Sequence, residues 1–219
     1  MKDLYIVANW KENKSEEESL NFLNAFAKVY QPRPDVKVVI CPSYSSLSAV
    51  SNFIKDHAIA VETGTQDVSE LEEGAHTGEV SASQAAEFAK YSIIGHSERR
   101  KLGETDEDVS KKVEMAVRYN LKPIVCVINE NVPIPTAVKI VAYEPVEAIG
   151  TGNPDTPENA NRVAAAIKSK YNGVLRVLYG GSVTSKNVRN FCEMENVAGV
   201  LVGGASLDPV EFSSIIKQC

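Results

Sequence analysis

A glutamate and a histidine each follow a short apolar run of the sequence, and both could do acid–base chemistry. Glu144 ends such a run and precedes Pro145, which keeps it out of helical geometry. A carboxylate there could serve as a general base, or could simply be solvated at the strand end. His96 stands just before a predicted helix, whose N-terminus disfavours an imidazolium, so we expect a neutral ring that donates a hydrogen bond. A structural histidine is the alternative.

A lysine and three groups of glycines predict a site for an anion. Lys11 follows the first apolar run and could neutralise a bound anion, although a lone lysine is more often only solvated. Gly180-Gly181-Ser182 and Gly203-Gly204 follow the last two runs, and Gly150-Thr151-Gly152 precedes them. Without a Cβ, backbone N–H groups can approach an anion, and a following helix dipole favours negative charge. A tight turn would explain either glycine pair by itself. Two consecutive pairs, with Gly150-Thr151-Gly152 before them, favour a phosphate site.

Eight short β-branched runs predict the strands that must position these residues. Most are continuously apolar, as expected of parallel strands covered on both faces. The predicted strands are Leu4–Ala8, Val36–Cys41, Ile59–Glu62, Tyr91–Ile94, Pro123–Ile128, Val138–Tyr143, Val174–Tyr179 and Val197–Val202.

Helices are predicted between the strands, each from a start signal or from apolar spacing. Residues 106–119 have helical spacing, whereas residues 129–135 contain two prolines and leave no room for a normal helix. The predicted caps are Ser15 and Ser81 in capping boxes, and Thr156 and Asp208 before prolines. Eight such units of about 27 residues fit a single-domain α/β fold over residues 1–219, a closed, parallel, eight-stranded (β/α)8 barrel. A doubly wound open sheet is the alternative, because periodicity does not reveal closure.

Composition and charge exclude several classes of protein. The 219 residues include 23 Lys and Arg against 29 Asp and Glu, for a net charge of −6, which argues against a nucleic-acid binder. No stretch approaches 18 apolar residues, and an acidic residue at position 3 does not fit a signal peptide. The four cysteines are scattered without a CxxC pair, so we expect no disulfide or zinc site, reduced thiols and a cytoplasmic location.

Six motifs, in order, resemble those of the triosephosphate isomerase family. The resemblance runs from residue 4 to about residue 216, and the motifs Gly95–Arg100 and Tyr143–Gly152 are specific to the family. The six are Ala8-Asn9-Trp10-Lys11, Gly95-His96-Ser97-Glu98-Arg99-Arg100, Ala142-Tyr143-Glu144-Pro145-Val146, Ala148-Ile149-Gly150-Thr151-Gly152, Tyr179-Gly180-Gly181-Ser182-Val183 and Val202-Gly203-Gly204-Ala205-Ser206-Leu207.

The resemblance implies a TIM barrel that interconverts dihydroxyacetone phosphate and D-glyceraldehyde 3-phosphate in glycolysis and gluconeogenesis, with neither metal nor organic cofactor. This mechanism is the known one of the family. It makes Glu144 the base that moves a proton between neighbouring carbons, and His96 the neutral group that polarises the carbonyl. Lys11, oriented by Asn9, would offset negative charge, with Glu98 as a supporting carboxylate.

The resemblance also implies a phosphate site and a lid. The phosphate would rest on backbone N–H groups of Gly150, Ser182, Gly203 and Gly204, and residues 145–152 would close over the substrate. Closure would exclude water and protect the enediolate from phosphate elimination.

Several positions depart from the family pattern. Glu12 stands where the family usually has Met, and Glu147 replaces the usual lid Trp, as it does in the compact archaeal branch. The sequence Cys126–Asn129 differs from the usual Cys-x-Gly-Glu, and most of the fifth helix is missing. The loop 74–79 around Thr77 resembles the loop that docks on a neighbouring subunit, so we expect a homodimer. The lost helix could expose surface for a tetramer.

Two other functions fit a phosphate-binding barrel. One is a different sugar-phosphate isomerase or an epimerase. The other is a non-catalytic phosphometabolite-binding barrel, but Lys11, His96 and Glu144 argue against it because a binding protein has no use for a base.

Overall fold

Eight parallel strands close into a barrel in chain order in the computed structural model, which describes residues 3–145 and 154–219. Each strand pairs with the next, and the last pairs with the first, with Tyr5 opposite Gly199. This closure confirms the barrel and excludes the open sheet. The strands are β1 (Leu4–Asn9), β2 (Val36–Cys41), β3 (Glu62–Thr65), β4 (Tyr91–Ile94), β5 (Lys122–Val127), β6 (Ile140–Tyr143), β7 (Arg176–Tyr179) and β8 (Val197–Val202).

Helices on the outside of the barrel begin where the cap residues predict. Ser15 and Ser81 each form a full capping box, and the side chains of Thr156 and Asp208 accept backbone N–H groups of their first turns. Thr105 forms a further capping box that we did not predict. The helices are α1 (Glu16–Val29), α2 (Tyr44–Asp56), α3 (Ala82–Ala86), α4 (Ser97–Lys101), α5 (Asp106–Arg118), α6 (Pro157–Lys170), α7 (Val188–Cys192) and α8 (Pro209–Gln218), with a 3₁₀ turn over Gly204–Leu207.

The third strand lies three residues later than predicted. Ile59, the predicted start, instead donates its N–H to the carbonyl of Ile54 at the end of α2. The actual strand contains two threonines and a glycine, and Thr65 donates a buried hydrogen bond of 2.9 Å to Ser92 on β4. Apolar periodicity could not find this strand because threonines and a glycine stand where apolar side chains are expected, and Thr65 is paired through its hydroxyl.

The connection from β5 to β6 contains no helix, as predicted. Ile134 and Val138 turn inward and are buried, so the connection covers the barrel without a helical face. Tyr171, the residue after α6, donates a hydrogen bond of 3.1 Å to the carbonyl of Val132, and Lys170 at the end of α6 donates one to the carbonyl of Glu130. These contacts hold the short segment against α6.

Two apolar layers explain why the strands are continuously hydrophobic. Side chains such as Val7, Ile93 and Leu178 fill the barrel interior, whereas neighbours such as Ile6 and Ile94 pack outward against the helices. Successive side chains along a strand point to opposite faces, and both faces are buried here.

The expectation that all thiols are reduced is wrong. Cys192, at the end of α7, forms a disulfide with Cys219, and their Cα atoms are 5.3 Å apart. The two positions are 27 residues apart in the sequence, and only the packing of α7 beside α8 brings them together. Cys41 and Cys126 are free and buried, and burial raises the pKa of each thiol. Among the described residues, no helix is both long and apolar enough to cross a bilayer.

Candidate active site

The carboxyl ends of the strands surround one cavity of about 260 Å³. This is the end of the barrel at which active sites of the fold are found. Predicted site residues from five of the strand ends meet there: Asn9, Lys11, His96, Glu144, Ser182, Gly203 and Gly204. Gly150, and Glu147 with it, lies outside the described residues.

Glu144 is a buried carboxylate held by two hydrogen-bond donors. It directly follows β6, and its side chain is 1% exposed. Oε2 accepts the backbone N–H of Ser97 at 2.9 Å, and Oε1 lies 2.9 Å from Nε2 of His96. Its own N–H donates to the carbonyl of Val127 on β5, which continues the barrel ladder by one residue. A carboxyl group so deep in the protein needs such partners.

The hydrogen bonds of His96 define its tautomer. Nδ1 accepts the backbone N–H of Glu98 at 3.2 Å, at the first turn of α4. A ring nitrogen that accepts a hydrogen bond carries no proton, so the proton is assigned to Nε2. The imidazole is therefore neutral, with its N–H directed at Glu144.

Lys11 is presented to the cavity from an unusual backbone conformation. Its φ of 53° lies in the left-handed region, and its N–H donates to Oδ1 of Asn9 at 3.1 Å. Its ammonium lies 2.5 Å from Oε1 of Glu98. Burial raises the pKa of Glu98, but the hydrogen bond and the charge of Lys11 lower it, and the net result is a lowered pKa. Glu98 therefore stays ionised and holds Lys11 in place.

Glycines at two strand ends are needed for different reasons. A Cβ on Gly180 would lie 2.9 Å from Cγ of Glu144 and 3.1 Å from the carbonyl of Tyr143, so glycine makes room for the carboxylate. A Cβ on Gly204 would meet no protein atom within 4 Å. The space beside Gly204 is open to a ligand that approaches the backbone.

Trp10 ties the lysine loop to the turn after β8. The ring is fully buried, and Nε1 donates to the carbonyl of Ser206 at 3.2 Å. Nearby, Lys14 donates to the carbonyl of Leu207 at 2.9 Å. These contacts join the loop that carries Lys11 to the turn that contains Gly203 and Gly204. Trp10 had no predicted role beyond its motif.

Two tyrosines hold the chain at Asp155, just before α6. Tyr143 donates to the Asp155 carboxylate at 3.1 Å, and the N–H of Asp155 donates to Oη of Tyr179 at 2.8 Å. The predicted lid, apart from Pro145, lies outside the described residues. Its role stays a prediction.

Other groups at the site were not assigned roles from the sequence. Ser97 acts through its backbone N–H, which no side-chain pattern reveals. The Cys126 thiol lies beneath Glu144, and burial, followed by the Glu144 carboxylate, raises its pKa. Gln66 contacts the backbone of Lys11. Within residues 3–145 and 154–219, no group of three or more His, Cys, Asp or Glu could hold a metal ion.

Comparison with known proteins identifies the family. The family model described as triosephosphate isomerase matches residues 4–137 and 130–219, and the two ranges overlap in the connection that lacks a helix. The triosephosphate isomerase of Leifsonia xyli subsp. xyli is 40% identical, over 97% of this chain and 95% of that protein. Those of Mesomycoplasma hyopneumoniae and Aquifex aeolicus are 38% and 36% identical, each over 96% of this chain and 97% of the relative. The chain belongs to the triosephosphate isomerase family and is an isomerase.

Proposed function

We propose that the chain interconverts dihydroxyacetone phosphate and D-glyceraldehyde 3-phosphate by proton transfer through an enediolate. The observation that carries the proposal is the meeting of Glu144 and a neutral His96 in one cavity with the glycine turns. A binding protein would have no use for a buried carboxylate beside a neutral imidazole.

Glu144 is the base. Its carboxylate takes a proton from the carbon beside the carbonyl, and the C–H electron pair forms the carbon–carbon double bond of the enediolate. The same carboxyl group returns the proton to the neighbouring carbon. A substrate carbonyl in the cavity would compete for the hydrogen bond of His96, which would free Glu144 to accept the proton.

His96 and Lys11 stabilise the charge that develops on oxygen. The Nε2–H of His96 donates to the carbonyl oxygen and shuttles a proton between the two enediolate oxygens. The Lys11 ammonium, held by Glu98 and by Asn9, offsets the charge of the phosphate and of the enediolate. Lys11 already lines the cavity, whereas His96 exchanges its hydrogen bond to Glu144 for one to the substrate.

The phosphate is bound by backbone N–H groups of Ser182, Gly203 and Gly204, with Gly150 from the lid. Asn187 supports the first turn by donating to the carbonyl of Ser182 at 3.1 Å. The cavity volume of about 260 Å³ lies below that of sites for drug-sized ligands, which favours a three-carbon substrate over a larger sugar phosphate.

We infer a homodimer formed through the loop around Thr77. Residues 71–79 are exposed, and a hydrogen bond of 2.9 Å from Ser69 N–H to the carbonyl of Val80 closes the base of this loop. Leu102 beside it is 79% exposed, which a second copy would cover. A tetramer would also need the surface near Ile128, where the fifth helix is missing. The molar mass of the purified chain, measured by light scattering, distinguishes a monomer, a dimer and a tetramer.

A cytoplasmic location fits a glycolytic enzyme, and we infer one here. The Cys192–Cys219 disulfide points the other way, because disulfides are rare in a reducing cytosol. Thiol counting on protein extracted under acid quench would decide whether the pair is reduced in the cell.

A coupled isomerase assay on the wild type and on Glu144→Asp tests the function. Shortening the side chain withdraws the carboxylate by about 1 Å, which should lower kcat about 100-fold while the fold survives. Full activity in this variant would remove Glu144 as the base. Turnover of a pentose phosphate, with none of a triose phosphate, would favour the other isomerase or epimerase.

A further inference from the structure

Gln66, the residue after β3, contacts the loop that presents Lys11. Its Nε2 donates to the carbonyl of Lys11 at 2.9 Å and to the carbonyl of Cys41, at the end of β2, at 3.1 Å. Both partners are carbonyl oxygens, which only accept, so the amide nitrogen rather than the amide oxygen must face them. Both hydrogens of the amide are used.

These hydrogen bonds act on a strained residue. A non-glycine residue with φ near 53° is rare, and such a conformation persists only when its surroundings over-determine it. The Lys11 peptide is held on both sides, since Asn9 accepts its N–H and Gln66 donates to its carbonyl. The neighbouring carbonyl of Trp10 accepts from Asn13 at 2.7 Å.

The left-handed turn determines where the lysine side chain points. With it, the ammonium reaches Glu98 and lines the cavity beside Gly203, whose added Cβ would lie 3.5 Å from Lys11 Cε. If the carbonyl of Lys11 rotated away, the side chain would leave this direction. Because Gln66 donates to the carbonyl of Cys41 at the end of β2 as well, it attaches the turn at Lys11 to the barrel.

We propose that Gln66 is a positioning residue that fixes the backbone of Lys11 and thereby aims its ammonium at the substrate phosphate and enediolate. The proposal rests on the function proposed above for Lys11. It concerns a residue that acts through Lys11 and does not touch the substrate.

The test begins with Gln66→Met, which keeps the length of the side chain but removes both donors. We expect kcat/KM to fall about 10-fold and the inhibition constant of glycerol 3-phosphate to rise. Gln84→Met is the matched control, because Gln84 also makes side-chain hydrogen bonds, but to Ser81 in the cap of α3. That control should lower the melting temperature and leave kcat/KM unchanged.

A double-mutant cycle with Lys11→Ala separates positioning from general stability. If Gln66 acts through the lysine, Gln66→Met should cause no further loss of kcat/KM in the Lys11→Ala background. An equal 10-fold loss in both backgrounds would overturn the inference, as would unchanged kcat/KM in folded Gln66→Met. Full activity of Lys11→Ala alone would instead refute the proposed role of Lys11.

Gln66→Glu provides a second variant should the methionine variant not fold. An ionised carboxylate would face two carbonyls with no donor, whereas a protonated one would supply a single O–H. The ratio of its kcat/KM to that of the wild type should therefore rise as the pH is lowered from 8 to 5.5. A ratio that does not change with pH would overturn the inference.

Discussion

The carboxylate of Glu144 lies 2.9 Å from Nε2 of His96, although the two residues come from strands that do not pair with each other. They follow β6 and β4, and β5 lies between. In a closed barrel, side chains from alternate strands meet in one layer, so this spacing brings them together across the mouth. The contact places the carboxyl group of Glu144 and the imidazole of His96 in the cavity that the glycine turns also line.

We expect His96→Gln to lower kcat about 100-fold and to change KM little. Glutamine can still fill the space, but it cannot pass a proton between the two enediolate oxygens. Because this proton transfer occurs during the reaction and not on binding, its loss lowers kcat rather than raising KM. Steady-state kinetics in both directions measure the two constants. An effect on KM alone would contradict a role of His96 in the transition state.

Gly180→Ala should impair the chemical step. The new Cβ would lie 2.9 Å from Cγ of Glu144, so the carboxylate must shift by several tenths of an ångström, and we expect kcat to fall about 10-fold or more.

Gly204→Ala is the matched comparison. The fold has room for its methyl group, but that group would occupy the approach to the phosphate. KM should rise in this variant, and the melting temperature should stay near that of the wild type. The same kinetic change in both variants would refute separate roles for the two glycines.

Loss of the disulfide should destabilise the fold without reducing activity. A cross-link between positions 27 residues apart restricts the unfolded chain by about 3.5 kcal/mol in the loop-entropy treatment. Cys192→Ser should lower the free energy of unfolding by roughly this amount, measured by urea denaturation. Dithiothreitol should destabilise the wild type equally and leave Cys192→Ser unaffected. A stability of the wild type that does not respond to the reductant would show that the cross-link contributes nothing.

The ion pair of Lys11 with Glu98 predicts a loss of stability in acid. Because the pKa of Glu98 is lowered in the folded protein from its ordinary value of 4.5, its contribution is present above that value and is lost as the pH falls through the folded pKa. The melting temperature of the wild type should exceed that of Glu98→Gln at pH 7, and the difference should shrink below about pH 4.5. A difference that is constant from pH 7 to pH 3 would contradict the pairing.

Features that depend on neighbouring residues were predictable. The side chains of Ser15 and Ser81 bond to backbone three residues away, so their capping boxes can be read directly from the chain. The prolines between β5 and β6 excluded a helix for a similarly local reason. The position of the third strand was predicted wrongly because the strand consists of small and polar residues, which a search for apolar patterns does not detect.

The residues of the site also fall into those that could be predicted from the sequence and those that could not. The glycine turns, Glu144, His96 and Lys11 are recognisable because their types stand beside strand ends and match family motifs. Local spacing and residue type were thus enough to predict the alternating elements, their caps and the identity of the reactive side chains. The closure of the barrel, the Cys192–Cys219 cross-link and the contact of Gln66 with Lys11 are visible only in the folded chain. Each of these joins distant parts of the chain, and such contacts depend on how the whole barrel packs rather than on local hydrogen bonds or periodicity.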